Sequence, residues 1–354
     1  MATALREKSI RPQPGEGLKD TAVFIATPER IIAAINNEVQ LGSASEMVVS
    51  LLGPQGVALN EGDTVVSNDP YLGSSHVQDF YLLSPVHLKG AVVFYLGAKT
   101  HLPDIGGDVQ GGFNSRAEEI WAEGVRISPV KICRDGRVDT GIFNMILLNT
   151  RTSEAARLGL ESLMAAIEAG KKEFLDCVRD SKSVEALQSE ALQAIADTET
   201  SVRHIVSSWP SGEYSGECPV DNGNTKIGGM KIETKLTVIG SEVAVDLSMN
   251  PPQLKKPFNS SLGNTLSFAL LPCLPVFCQD AMMNGGVWRV VTVKTKKGTL
   301  LDPLLPAPTS FGPFHVGAEI SGAVSAALQK VLSEQDRERV QTQLPSLLQW
   351  HPRE

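Results

Sequence analysis

The chain has 354 residues, 42% of them hydrophobic and 20% charged, with a formal net charge of −8 at pH 7. That length supplies core for one large or two ordinary domains, and an acidic balance with no Lys/Arg cluster at helical spacing argues against a nucleic-acid surface. No apolar run approaches the ~20 residues of a membrane span, Met1 to Lys8 lacks a signal-peptide core, and five scattered cysteines without a C-x-x-C pair read as reduced thiols; the expectation is a cytoplasmic protein.

Three regions follow in chain order, at 1–137, 138–210 and 211–354. After a polar start, residues 20–25 read as a strand. Glu61-Gly62-Asp63 leads into the short β-branched run Thr64-Val65-Val66. Residues 80–83 and 91–96 are continuous apolar runs divided at Lys89-Gly90, the pattern of a β-hairpin. From about 138 the period changes to 3.6. Leu160, Leu163, Met164, Ile167, Phe174, Leu175 and Val178 form one stripe. Val184, Leu187, Ala191, Ile195, Val202, Ile205 and Trp209 form a second, with Ser183 as N-cap and Pro210 as stop, which predicts a helical hairpin.

Beyond Pro210 the period becomes 2, so 213–220, 230–239 and 242–249 read as a three-strand meander. Residues 264–278 read as a buried helix ended by Pro272 and Pro275, and 287–294 as another strand. Pro303, Pro306, Pro308 and Pro313 mark a stiff connector, and helices are expected over 315–332 and 335–347. The fold class is α+β: a strand- and loop-rich first region, a central helical hairpin, then a second β-rich region with C-terminal helices.

Two of the six histidines stand out. His76 lies three residues ahead of Asp79, in a segment opened by the turn-forming Asn68-Asp69-Pro70, and His101 lies three residues ahead of Asp104, followed by Gly106-Gly107. Imidazole with carboxylate is a ligand set for zinc, manganese or non-haem iron. A single His-x-x-Asp is usually a surface hydrogen bond or a cap, but a pair flanking one hairpin is different. The histidines would sit just before its first strand and just after its second, and antiparallel pairing brings those ends together.

The residues then resemble a family. Asn68-Asp69-Pro70-Tyr71-Leu72-Gly73 with His76 and Asp79, and His101 with Asp104-Ile105-Gly106-Gly107, are similar to the hydantoinase B/oxoprolinase family. So are the stretch from Glu118 to Lys131, Asn149-Thr150-Arg151-Thr152, Pro252-Gln253, Pro257-Phe258-Asn259 and Asn284-Gly285-Gly286. The resemblance covers about 5–330. It implies metal ligands at His76, Asp79 and His101, with Asp104 orienting His101 through its other ring nitrogen. Asp20 falls on an acidic position of the family and is a candidate fourth ligand or general base, against the plainer reading of a strand cap. Asn68 and Asp69 read as turn builders. Arg126 and Lys131 read as solvated charges, with an anion-holding role as the alternative.

The sequence departs from the family in places. Leu102 stands where the family usually has a second histidine, Arg157-Leu158-Gly159-Leu160 replaces a helical aspartate motif, the stretch from Gly312 to Glu319 replaces a polar one, and the expectation is a member shortened by the family's Gly-rich C-terminal region.

The resemblance implies a metal-dependent hydrolase subunit that works on the C–N bond of a small cyclic amide, a lactam or hydantoin. The ion would be zinc, manganese or iron, and Asp20 or Asp104 the general base. No G-x-x-x-x-G-K-[ST] loop is present, and Gly106-Gly107 and Gly111-Gly112 read as turns, so ATP is expected only through an A-type partner. The alternatives are a component of the acetone or acetophenone carboxylase type, and a stand-alone metal enzyme or inactive remnant.

Overall fold

In the computed structural model, residues 21–28, 31–35, 41–54, 56–178, 183–220, 229–278 and 284–348 are described. The organising element is the hairpin β4 (Asp79–Leu88) and β5 (Ala91–His101). Its turn residues Lys89 and Gly90 have φ of 53° and 83°. Positive φ at both central positions makes a turn whose twist matches the strands it joins. Around this hairpin, β1 (Thr21–Ala26), β2 (Ile31–Ile35), β3 (Thr64–Ser67), β6 (Val130–Arg134) and β7 (Arg137–Val138) complete a seven-stranded antiparallel sheet of order β2-β1-β5-β4-β3-β6-β7.

Both faces of that sheet are covered, which is why its central strands read as continuous apolar runs. On one face lie α2 (Thr140–Leu148) and the long α3 (Ser153–Val178). The stripe Leu160, Leu163, Ala166 and Ile167 packs with Phe80, Leu82, Leu96 and Ala98. On the other lies α1 (Leu41–Leu52), where Met47, Val48 and Leu51 meet Phe24, Val65, Tyr81 and Leu83. The second long helix, α4 (Val184–Ser207), begins at the expected Ser183 cap, which accepts from Ala186 N. It meets the end of α3 in a cluster of Phe174, Leu175, Val178, Leu187 and Phe94. The strands are the main packing partners of both helices.

The second sheet is the expected meander, β8 (Gly212–Pro219), β9 (Lys231–Ile239) and β10 (Glu242–Asp246), extended by β11 (Val291–Lys294) parallel to β10. Its buried face packs on α6 (Ala318–Leu328). The two sheets are joined through α5 (Leu262–Leu270), which lies between α1 and α6. Gly42 of α1 and Gly263 of α5 permit that approach. A Cβ at Gly42 would meet the backbone of Leu266 and Ser267, and one at Gly263 the backbone of Gly73 and Ser43. The closing helix α7 spans Glu334–Leu348.

Three expectations need adjusting. The buried helix starts at Leu262, and Pro272 and Pro275 do not simply end it. Each opens a new turn, a 3₁₀ turn at Leu271–Cys273 and an α turn at Leu274–Phe277, where a missing N–H is tolerated. The strand expected from 287 begins at Val291, after a 3₁₀ turn at Val287–Arg289. The helix expected from 315 starts instead with a π turn at Pro313–Gly317.

Candidate metal centre

The hairpin sets the geometry of the site. Asp79, the first residue of β4, is paired directly with His101, the last of β5, so their side chains leave the same face of the sheet. Lys99, two residues before His101, leaves that face too. His76 comes from the loop ahead of β4. That loop is braced by Asn68, whose amide donates to Val77 O and Val125 O and whose carbonyl accepts from Ile127 N. Asp69 caps the 3₁₀ turn Pro70–Leu72. Both residues are turn builders, as expected.

One ligand atom each from His76, Asp79 and His101 lies within 4.8 Å of the other two. His76 Nδ1 is 3.5 Å from Asp79 Oδ2, and His101 Nδ1 is 3.3 Å from Asp79 Oδ1. Ligands ~2.0–2.1 Å from a tetrahedral ion lie ~3.3–3.4 Å apart; the two separations approach that value on different oxygens of Asp79, and two imidazoles with a carboxylate are a donor set that suits a divalent ion. His76 and Asp79 are buried, while His101 is at the rim with 22% of its side chain exposed.

Sequence reasoning missed Lys99. It is wholly buried, and its ammonium is 2.8 Å from Asp79 Oδ1. That contact leaves Oδ2 as the oxygen better placed for an ion. Burial opposes ionisation of Asp79, but the charges of His76, Lys99 and His101 outweigh it and hold the carboxyl well below the usual carboxylate range.

Asp104 corrects an expectation. Its carboxylate accepts from the backbone of Gly106, Gly111 and Arg151, from Thr150 Oγ1 and from the Arg151 guanidinium at 3.0 Å. Arg151 continues to the carbonyls of Gly106, Gly107 and Val109. These donors, not His101, fix the carboxylate, and with its lone pairs occupied it is poorly suited to act as a base. Asp104 instead ties the loop after β5 to the segment before α3. Asp20 lies outside the described residues. Gly106, Gly107, Gly111 and Gly112 all have positive φ within this loop, in keeping with turns. Leu102 is buried in the core beside α3. Arg126 pairs with Asp69 and lies over the Tyr71 ring, and Lys131 pairs with Asp63; neither is simply solvated.

An aromatic wall adjoins the histidines. The Phe113 ring is parallel to His101 with centroids 6.1 Å apart, and edge-on to His76 at 5.9 Å. Behind it stand Phe311 and Phe314 at 5.6 and 5.2 Å, and Phe311 continues to Phe258 and His315. The segment carrying Phe311 and Phe314 is clamped by Glu123, also missed from sequence. Its two oxygens accept from Thr309 N at 3.0 Å and Ser310 N at 2.8 Å. Burial pushes the Glu123 carboxyl up to about 7, although both amides pull the other way. Tyr71 Oη donates to Ala307 O and Asn259 Nδ2 to Pro308 O, so the segment is held from three sides.

Comparison with known proteins agrees with the sequence resemblance. The model of the family described as hydantoinase B/oxoprolinase matches residues 3–353. The chain is 30% identical over 314 residues to the beta subunit of caprolactamase from Pseudomonas jessenii, covering 88% of this chain and 54% of that one. It is 26% identical over 288 residues to the B component of a putative D-/L-hydantoinase from Pseudomonas sp. (strain NS671), covering 78% and 48%. The crystal structure of ATP-dependent caprolactamase from Pseudomonas jessenii aligns with a TM-score of 0.83 at 28% identity, covering 94% of this chain and 59% of that one. A nucleotide-free acetone carboxylase aligns at 0.79 with 15% identity over 94% and 46%, a likeness of fold. The chain spans about half the length of the relatives it matches. Among the described residues, no helix is long and apolar enough to cross a membrane.

Proposed function

Because the chain belongs to the hydantoinase B/oxoprolinase family, we propose that it is the B-type part of an enzyme that hydrolyses the C–N bond of a small cyclic amide. In this reading a divalent ion is held by His76, Asp79 and His101. The observation that carries it is the convergence of these three ligand atoms within 4.8 Å at the rim of an aromatic wall. Two relatives are named as components of multi-chain enzymes, and one solved structure is of an ATP-dependent enzyme; the proposal extends to an A-type partner that supplies ATP.

The chemistry is consistent with that division. Amides resist hydrolysis because resonance stabilises them, and phosphorylation of the amide oxygen by a partner would remove that protection. A bound divalent ion supplies Lewis acidity and a water of lowered pKa. The chain's own residues do the rest. Lys99 fixes the orientation of Asp79, Asp104 and Arg151 hold the loop that carries Phe113, and the rings limit water at the rim. Substrate would approach past His101, the exposed member of the triad.

The test is metal content by plasma mass spectrometry, on chain purified without chelator, for wild type, His76→Ala and the rim variant His101→Gln. About one zinc, manganese or iron per chain, lost in both variants, is expected. A well-folded wild type with none would overturn the metal reading. Adding an A-type partner, ATP and a lactam then tests hydrolysis, and bicarbonate consumption without hydrolysis would favour a carboxylase.

A further inference from the structure

Resting on that reading, we infer that the portion of substrate at this site is an apolar, uncharged lactam ring, selected by the aromatic wall against lactams bearing a carboxylate. The first ground is the wall itself. Phe113, Phe311, Phe314 and His315 are half-buried, and Phe113 reaches both histidines of the triad. Half-buried rings beside one buried ligand, His76, and the rim ligand His101 present an apolar surface at the rim. Hydrocarbon ring atoms gain from covering such a surface, and a carboxylate loses hydration there.

The second ground is the state of the neighbouring cations. Recognising a substrate carboxylate calls for an Arg or Lys with donors to spare. Lys99 is committed to Asp79, wholly buried beneath the site. Arg151 is committed to Asp104 and three loop carbonyls. Arg126 gives its Nε to Asp69 and lies over the Tyr71 ring. Lys99 and Arg151 thus serve the scaffold in full and Arg126 in part. Among the described residues, exposed Arg116, three residues beyond Phe113, is a cation that would argue otherwise, as is the remainder of the Arg126 guanidinium, and Arg116 is included in the test.

The third ground is the effort spent on seating the wall. The Glu123 clamp, Tyr71 and Asn259 fix the backbone from Ala307 to Ser310. Phe311 N donates to Pro257 O, which fixes the next residue as well. A Cβ at Gly112 would strike the Gln78 amide and the Glu123 carbonyl, so the Phe113 loop is seated closely too. A wall held this firmly can discriminate by shape.

The experiment compares 2-pyrrolidinone, 2-piperidone and ε-caprolactam with 5-oxoproline, which is 2-pyrrolidinone plus a carboxylate. Binding to the full chain is measured by ligand-observed NMR titration, once as purified and once after chelator dialysis. The dissociation constant is expected to fall about three- to fourfold with each added methylene, from ~0.8 kcal/mol per buried CH₂. 5-Oxoproline is expected to bind at least tenfold more weakly than 2-pyrrolidinone. Phe113→Leu and Phe314→Leu should flatten the methylene series, while Arg116→Ala leaves it unchanged. Equal or tighter binding of 5-oxoproline, no methylene trend, or no binding of any lactam overturns the inference. The trend should survive chelation, because it arises from the rings. Failure of the metal reading alone would therefore leave it intact.

Discussion

Glu123 offers the sharpest test of the physical reading. Its side chain is wholly buried and takes one backbone amide on each oxygen, from Thr309 and Ser310. Burial still dominates and lifts the carboxyl from its ordinary 4.5 to about 7. A group whose pKa is raised on folding favours the folded state while it holds its proton. Its contribution is whole below the unfolded value near 4.5 and is lost as pH rises through about 7. The gap of about 2.5 pH units, at ~1.4 kcal/mol each, corresponds to roughly 3 kcal/mol, most of it falling between pH 5 and pH 8.

Glu123→Gln keeps the shape and removes the titration. Urea unfolding of both proteins at half-unit steps across that window gives the difference in unfolding free energy. Wild type should lose roughly 2–3 kcal/mol relative to the variant on going from pH 5 to pH 8. Asp63, Asp79 and Asp104 are held below the ordinary range, so their contributions are lost only at lower pH and are common to both proteins. Tyr71 is raised, by burial first and partly by Glu123, and titrates above the window. Parallel curves would refute the argument, because they would mean that the two amides fully offset the burial.

Other expectations are more compact. Lys99→Met leaves the buried Asp79 without its ammonium and should cost about 3–5 kcal/mol in metal-free protein, with zinc raising the melting temperature more than in wild type; a loss below about 1 kcal/mol would show the pair to be incidental. Burial pushes the Cys273 thiol up to about 12 and Cys177 is exposed, so a thiol reagent followed by mass spectrometry should label Cys177 in native protein and Cys273 only in denaturant. Lys89→Gly removes a side chain from φ of 53° and should raise stability by about 1 kcal/mol in urea titration, since non-glycine residues at such angles carry ~1–2 kcal/mol of strain.

How much of this was legible in the sequence depends on the range of the interaction. The turn at Asp69, the cap at Ser183, the hairpin turn and the two helical stripes are local patterns, and they formed where expected. Family motifs marked His76, Asp79 and His101. Glu123 and Arg151 lay inside such motifs too, but their partners are distant in sequence: Thr309 and Ser310 for one, Asp104 for the other. No spacing rule predicts those pairings. Asp104 was misjudged for that reason, since its proximity to His101 in sequence obscured the claim made on it by Arg151. Lys99 did leave a signal, a lone cation two residues before His101 at the end of an apolar strand, and i, i+2 residues share a face.

The site also depends on an irregularity that sequence patterns hide. Next to the turn, Leu88 pairs with Ala91 and His87 with Val92, but Val86 pairs with Phe94, so Val93 is an extra residue on β5. Extending the register of the turn without that bulge would place Thr100 opposite Asp79 and His101 opposite Gln78. Side chains alternate between faces, so His101 would then leave on the α3 side of the sheet, away from Asp79. A two-residue turn therefore brings the ends of the hairpin together but selects the wrong partner. The bulge corrects it by one residue and puts Asp79, Lys99 and His101 on a common face. The chemistry available at the rim is thus set at the opposite end of the same two strands. Sequence reasoning could see that the two ends meet, but not that one extra residue near the turn decides which side chains meet there.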